Sequence, residues 1–252
     1  MPVLPEFSLS GRIAVLATAG GDQAPWLARA LAEAGASVFA VARRQPHLDA
    51  IVEALDRDAA LGGVVADMAT PTGLGQFVEA LDRHNRPVDI LVNDARSMFA
   101  QPIGEITLDD WDTVLSRNLK ATFLITQEIG RRMVERGYGR IVNVVSELAE
   151  RGMINGSAFA ASQAGVLSLT RCLALEWGRH NIRVNALGTG LFTAEDVPLD
   201  VQQEDLLVRY TPLRRMGHPR DIGPLLVYLC SEACDYTTGQ PVYVDGGLNA
   251  RP

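Results

Sequence analysis

The sequence predicts an α/β protein: a doubly wound, parallel seven-stranded sheet with helices on both faces. Short β-branched or aliphatic runs alternate with longer amphipathic stretches almost from end to end. This is the rhythm of parallel strands joined by right-handed helical crossovers. The chain of 252 residues also lacks any repeat, low-complexity tract or linker, so residues 1–252 read as one large domain.

The elements follow in order. Ile13-Ala14-Val15-Leu16-Ala17 opens the sheet, and a helical pattern covers 25–34 behind Pro25. Further strands are predicted at 37–41, 63–66, 89–93, 140–145, 183–187 and 242–244, and helices at 47–57, 73–83, 108–135, 158–179 and 219–231. The least regular stretch, roughly 189–212, carries Asp196, Pro198, Asp200, Glu204 and Asp205 and reads equally as a lid over the crevice at the strands' C-terminal ends or as a plain surface connection.

Composition narrows the function. With 47% hydrophobic and 21% charged residues the chain is an ordinary globular one. A net charge of −7 without a Lys/Arg cluster argues against a nucleic-acid surface. No uninterrupted apolar run approaches the roughly 20 residues of a bilayer span. The start, Met1-Pro2-Val3-Leu4-Pro5-Glu6, has neither the charge nor the apolar core of a signal peptide. A cytoplasmic location without a membrane partner is therefore expected. Cys172, Cys230 and Cys234 do not suggest a disulfide framework. Cys230 and Cys234 can share a helix face, but no second ligand pair accompanies them and no metal site is expected. Lys120 is the only lysine.

Several short motifs, in order and spacing, carry a resemblance over essentially the whole chain. They are Asp67, Asn118-Leu119, Ser162 with Ala164-Gly165, Arg183-Val184-Asn185-Ala186, and the tail Thr238-Gly239-Gln240-Pro241-Val242-Tyr243-Val244-Asp245-Gly246-Gly247. The chain resembles the short-chain dehydrogenase/reductase family. That resemblance implies a Rossmann-like sheet of strand order 3-2-1-4-5-6-7 and, usually, a tetramer.

It also implies a site, and there the chain departs from the family pattern. The family's catalytic tetrad aligns with Asn118, Ser146, Phe159 and Gln163; Phe159 stands where the family has its proton-donating tyrosine, and Gln163 where it has lysine. Phenylalanine has no titratable hydroxyl, and glutamine cannot supply the cation that lowers a phenol's pKa. The three glycines of the diphosphate-binding turn become Thr18, Asp22 and Ala24, adding side chains where close approach is needed. Asp22, just before the helix near Pro25, is expected to cap that helix and take the place of a phosphate. The family's Asn-Asn-Ala-Gly is here Asn93-Asp94-Ala95-Arg96, with Arg96 expected to pair with Asp22 or Asp94 and plug the pocket. Thr189 replaces a proline. Asp67, matching the adenine contact, and Thr193, matching a contact to the cofactor amide, are retained. Arg43-Arg44 could face a ribose phosphate or form a solvated turn. The four histidines, His47, His84, His180 and His218, are expected away from the crevice, which leaves Glu147 and Glu150 as the candidate local acids, with a solvated loop edge the favoured reading of both.

The losses gather at one site while the scaffold stays regular. The expectation from sequence is a catalytically inactive subunit that binds no cofactor itself. It would assemble as a heterotetramer with a homologous active subunit carrying NAD(P), resembling in kind the inactive subunit of two-component 2-(hydroxy(phenyl)methyl)succinyl-CoA dehydrogenases. Its rivals are a non-redox lyase or isomerase using Ser146 with Glu147 or Glu150, a ligand-sensing protein, and a slow dehydrogenase with an unusual cofactor pose.

Overall fold

Strand β1 (Ile13–Thr18) shows how the sheet is covered on both sides. Its successive side chains alternate, Ala14 and Leu16 entering one core and Val15 and Ala17 the other, as a period of two requires. The computed structural model describes residues 4–250, so Met1, Pro2 and Val3 lie outside the described residues.

Helices α1 (Ala24–Glu33) and α2 (Gln45–Glu53) line the first core with Leu27, Leu31, Leu48 and Ile51. Helix α3 (Pro71–Asp82) lines the second with Phe77 and Leu81. The remaining strands are β2 (Ser37–Ala42), β3 (Ala60–Val65), β4 (Ile90–Asp94), β5 (Gly139–Ser146), β6 (Ile182–Thr189) and β7 (Pro241–Val244). All seven pair in parallel, in the order β3-β2-β1-β4-β5-β6-β7. The predicted fold and strand order are therefore observed.

The stretch predicted as one helix over 108–135 is interrupted. Helix α4 (Leu108–Leu115) begins at a capping box of Thr107 and Asp110, and α5 (Ala121–Arg136) ends at Gly137 with a left-handed backbone. Between them lies a wide π turn, Ser116–Lys120, in which the Ala121 N–H reaches back to the Ser116 carbonyl. Such wide turns frequently mark functional positions, and this one carries Asn118.

The long helix α6 (Ser157–Trp177) packs against β5 and β6. The segment Ser157–His180 is long and apolar enough to cross a membrane by length and composition, with half of its most apolar window buried inside the fold. Burial against the sheet accounts for that apolar character. Between β6 and the last core helix lie α7 (Leu199–Gln202) and α8 (Leu206–Tyr210), with Leu199, Leu206 and Tyr210 exposed. The stretch predicted as a helix over 219–231 starts as a tight 3-10 turn, Pro219–Ile222, capped by His218. It continues as α9 (Gly223–Cys230), which places Leu226 and Leu229 in the first core.

Candidate active site

Strands β1, β4, β5 and β6 end side by side, and their last residues bring Thr18, Asp94, Ser146 and Thr189 to one crevice. In an open parallel sheet this edge is the ligand edge.

At the centre, Ser146 is held by three contacts. Its backbone N–H donates to Gln163 Oε1 at 3.0 Å, its hydroxyl donates to Glu147 Oε2 at 2.9 Å, and its oxygen accepts from the Leu148 N–H at 3.2 Å. Gln163 is fully buried, and its Nε2 has no hydrogen-bond partner among the described residues. Phe159, one turn earlier on α6, is also fully buried. Asn118 is buried in the π turn: its Oδ1 accepts from the Ser97 N–H, and its Nδ2 donates to Ser97 O and to Ser162 Oγ. Of the four aligned positions, Ser146 and Gln163 are joined directly, Phe159 lies one turn from Gln163, and Asn118 braces the loop after β4 against α6. Burial pushes the Glu147 carboxyl above its ordinary range, opposed by the Ser146 hydroxyl and by Arg151 and Arg96. Glu150 turns to Arg171 instead, at 3.4 Å.

The departures from the family pattern converge on one guanidinium. Arg96 Nε donates to Asp94 Oδ1 at 2.6 Å, Nη1 to Thr189 Oγ1 at 2.5 Å, and Nη2 to Gln23 Oε1 at 2.7 Å. Thr18 Oγ1 donates to the second Asp94 oxygen at 3.4 Å and accepts from the Gly20 N–H. Of the two partners expected for Arg96, Asp94 is the one it meets. Asp22 does not cap α1. It is exposed, the N-cap is Gln23, and no side chain bonds to the helix start. The chain turns earlier than the alignment placed it, at Gly20 (φ 103°) and Gly21 (φ 155°). Those conformations suit glycine, and they leave Asp22 pointing to solvent and the helix terminus without a carboxylate. Ala24 is buried as the first residue of α1.

His47 also corrects a sequence expectation. Its ring lies against Gly20, where an added Cβ would collide with it, and its buried Nδ1 has no partner among the described residues. It therefore borders the loop.

Beyond the loop lies a small, mostly apolar hollow lined by Ala17, Ala66, Met68 and Ile125, with Arg43 and Arg117 among its walls. Burial, and then repulsion from Arg117, lowers Arg43 from the ordinary arginine value, a cost that an arriving anion relieves. Asp67 lies 3.9 Å from Arg43 Nε and accepts from the Ala69 N–H. Thr193 Oγ1 accepts from the Glu195 N–H within the stretch 189–212. Among the described residues no three His, Cys, Asp or Glu side chains gather as a metal site. Cys230 and Cys234 are buried, and burial raises both thiols.

With this geometry in view, the profile described as enoyl-(acyl carrier protein) reductase matches residues 24–249. The chain belongs to the short-chain dehydrogenase/reductase family. It is 32% identical to gluconate 5-dehydrogenase of Gluconobacter oxydans, covering 96% of each chain. It is 34% identical to 2-dehydro-3-deoxy-D-gluconate 5-dehydrogenase of Bacillus subtilis, covering 97% of each. Among solved structures, a gluconate 5-dehydrogenase from Burkholderia cenocepacia in complex with NADP and tartrate superposes with a TM-score of 0.88 at 30% identity, covering 99% of both chains.

These findings overturn two sequence expectations. A non-catalytic subunit was expected, yet the full-length relatives are named dehydrogenases. A chain that binds no cofactor was expected, yet a near-complete structural match holds NADP. Both expectations came from the lost motif residues, and the structure changes the surroundings of some of them. The glycine turn is displaced, Asp22 is directed away, and Thr18, Asp94, Arg96 and Thr189 form one bonded set. The expected heterotetramer rested on those losses set against a regular scaffold.

Sequence reasoning missed Gln23, His47 and Arg117. The spacing of Arg43, Arg44 and His47 at the start of α2 could have flagged the histidine. Nothing local marks Gln23 or Arg117, which reach the site only through tertiary packing.

Proposed function

We propose that the chain is an NAD(P)-dependent oxidoreductase acting on a secondary hydroxyl, or the matching ketone, of a sugar acid or polyol. The observation that carries this reading is the end-to-end likeness to dehydrogenases of gluconate and 2-dehydro-3-deoxygluconate, joined to a crevice that can hold a dinucleotide. A base would lie over the apolar surface of Ala17, Ala66, Met68 and Ile125, which must open to admit it, with the Asp67 carboxylate nearby as a hydrogen-bond acceptor. Arg43 and Arg117 face the adjoining ribose and favour a phosphate there. The uncapped start of α1 and the Arg96 guanidinium suit the diphosphate, whose oxygens would replace the neutral acceptors Gln23 and Thr189. Gln163 Nε2, a buried donor without a partner, suits a ribose hydroxyl. When bound, the nicotinamide supplies hydride exchange. The protein's part is to position the substrate oxygen at Ser146 and to exclude water beneath the lid of 189–212.

The test is a fluorescence titration with NADPH and NADH, then turnover with gluconate, 5-ketogluconate and 2-dehydro-3-deoxygluconate. Saturable binding with turnover of one of them is expected. Absence of both binding and turnover would remove the reading.

A further inference from the structure

With phenylalanine at 159, a redox reaction at this crevice needs another route for the substrate's proton. We infer that Ser146 and Glu147 form that route: Ser146 receives the proton of the substrate hydroxyl as its own proton passes to the Glu147 carboxylate. This rests on the oxidoreductase reading above.

Hydrogen-bond inventory carries the inference. A serine hydroxyl has one donor and two lone pairs. The donor of Ser146 is committed to Glu147 Oε2 at 2.9 Å, and one lone pair accepts from the Leu148 N–H. What remains is a single lone pair, which can accept a hydrogen bond from an alcohol but cannot donate one to a carbonyl. In this state Ser146 suits a substrate hydroxyl about to lose its proton. Its backbone is fixed at the same time by Gln163 Oε1, so the hydroxyl stays in place at the end of β5.

The step balances. The substrate C–H bond breaks with both electrons, and the hydride passes to an oxidised nicotinamide dinucleotide as co-reactant. The substrate O–H bond breaks, its electron pair becomes the second bond of the new carbonyl, and its proton goes to Ser146 Oγ. The original Ser146 proton goes to Glu147, which later releases it to solvent. In the reverse direction the protonated Glu147 returns it by the same path.

The surroundings of Glu147 support a carboxyl that can hold either state. Arg151 on its own turn and Arg96 from the loop after β4 favour the anion, with Arg96 already partnered by Asp94. From α6, Phe159 and Gln163 bring no charge, and Arg171 is engaged with Glu150. Burial opposes the anion and prevails.

The experiment has two arms. Carboxyl titration by NMR of glutamate-labelled protein without cofactor should show one group titrating above the ordinary range. That group should vanish in Glu147→Gln, rise further in Ser146→Ala, and stay unchanged in Glu150→Gln. In alcohol oxidation, wild-type kcat/KM should rise with pH through the same value. Glu147→Gln should lose that limb and about 100-fold in rate, while Glu147→Asp keeps a shifted limb. Melting temperatures confirm that the variants are folded. A Glu147 that titrates normally, or a Glu147→Gln enzyme with an unchanged pH limb, overturns the relay while leaving the oxidoreductase reading standing. A wild-type chain that binds and oxidises nothing overturns that reading, and the relay with it.

Discussion

Two adjacent residues, Ser146 and Glu147, set the chemistry available at the crevice, and their neighbours set its stability. Gln163 accepts the Ser146 N–H inside the core, so Gln163→Leu leaves that donor buried and unmatched. The expected loss is about 1–3 kcal/mol, read from the urea midpoint. Glu147 adds a pH dependence of known sign. Its folded pKa lies above the ordinary glutamate value of about 4.5, so between those values the native state holds a proton that the unfolded state has lost. Native stability conferred at low pH is therefore lost as pH rises from about 4.5 through the folded value. Glu147→Gln cannot titrate, so its stability relative to wild type should increase across that window and then level off; urea melts at a series of pH values check this. At this scale the sequence was partly legible. It marked Ser146, Phe159 and Gln163 as neighbours and Glu147 as a local acid, but not which oxygen the serine would face, because that depends on a turn of three residues, Glu147–Ala149.

At the scale of elements, the crevice is four strand ends, of which Arg96 joins those of β4 and β6. Strand alternation and helical periodicity made the elements themselves legible, since burial on one face repeats along a segment. The break in 108–135 and the Arg96 network were not legible, because each depends on residues far apart in sequence: Asn118 reaches Ser97 and Ser162, and Arg96 reaches Gln23 and Thr189. Read singly, Arg96 and Thr189 are departures; joined, they account for one another. The network makes a sharp prediction. Asp94 is 3% exposed and its ion-pair partner is Arg96, so Arg96→Gly strands a buried carboxylate and should cost about 3–5 kcal/mol. Adding Asp94→Asn removes the stranded charge and should recover most of that loss. A double-mutant cycle by urea denaturation measures the coupling, and additive effects would show that the pair does not act as a unit.

Across the whole molecule, the two ends of the sheet do different work. The crevice lies at the C-terminal ends of the strands. At the other end, Arg140 opens β5 with its side chain fully buried, its Nη2 3.0 Å from Glu232 and 3.2 Å from Asp235, and its Nε donating to the Ser231 carbonyl. Arg12 and Arg140 flank the Tyr138 ring at 4.1 and 4.8 Å, and burial pushes the Tyr138 hydroxyl up to about 12. This cluster fastens the segment after α9 to the start of β5. Six residue steps of about 3.3 Å each put Arg140 roughly 20 Å from Ser146, beyond reach of any contact with a ligand in the crevice. Arg140→Met keeps the stem buried and removes the charge, while Glu232 and Asp235 are exposed enough to return to water. The expected result is a loss of about 1–3 kcal/mol in stability with NADPH affinity unchanged within about twofold. Urea denaturation and fluorescence titration of the same preparation measure both. A large fall in affinity without a fall in stability would mean that the two ends of the sheet are coupled, against the division of labour that a rigid parallel sheet imposes.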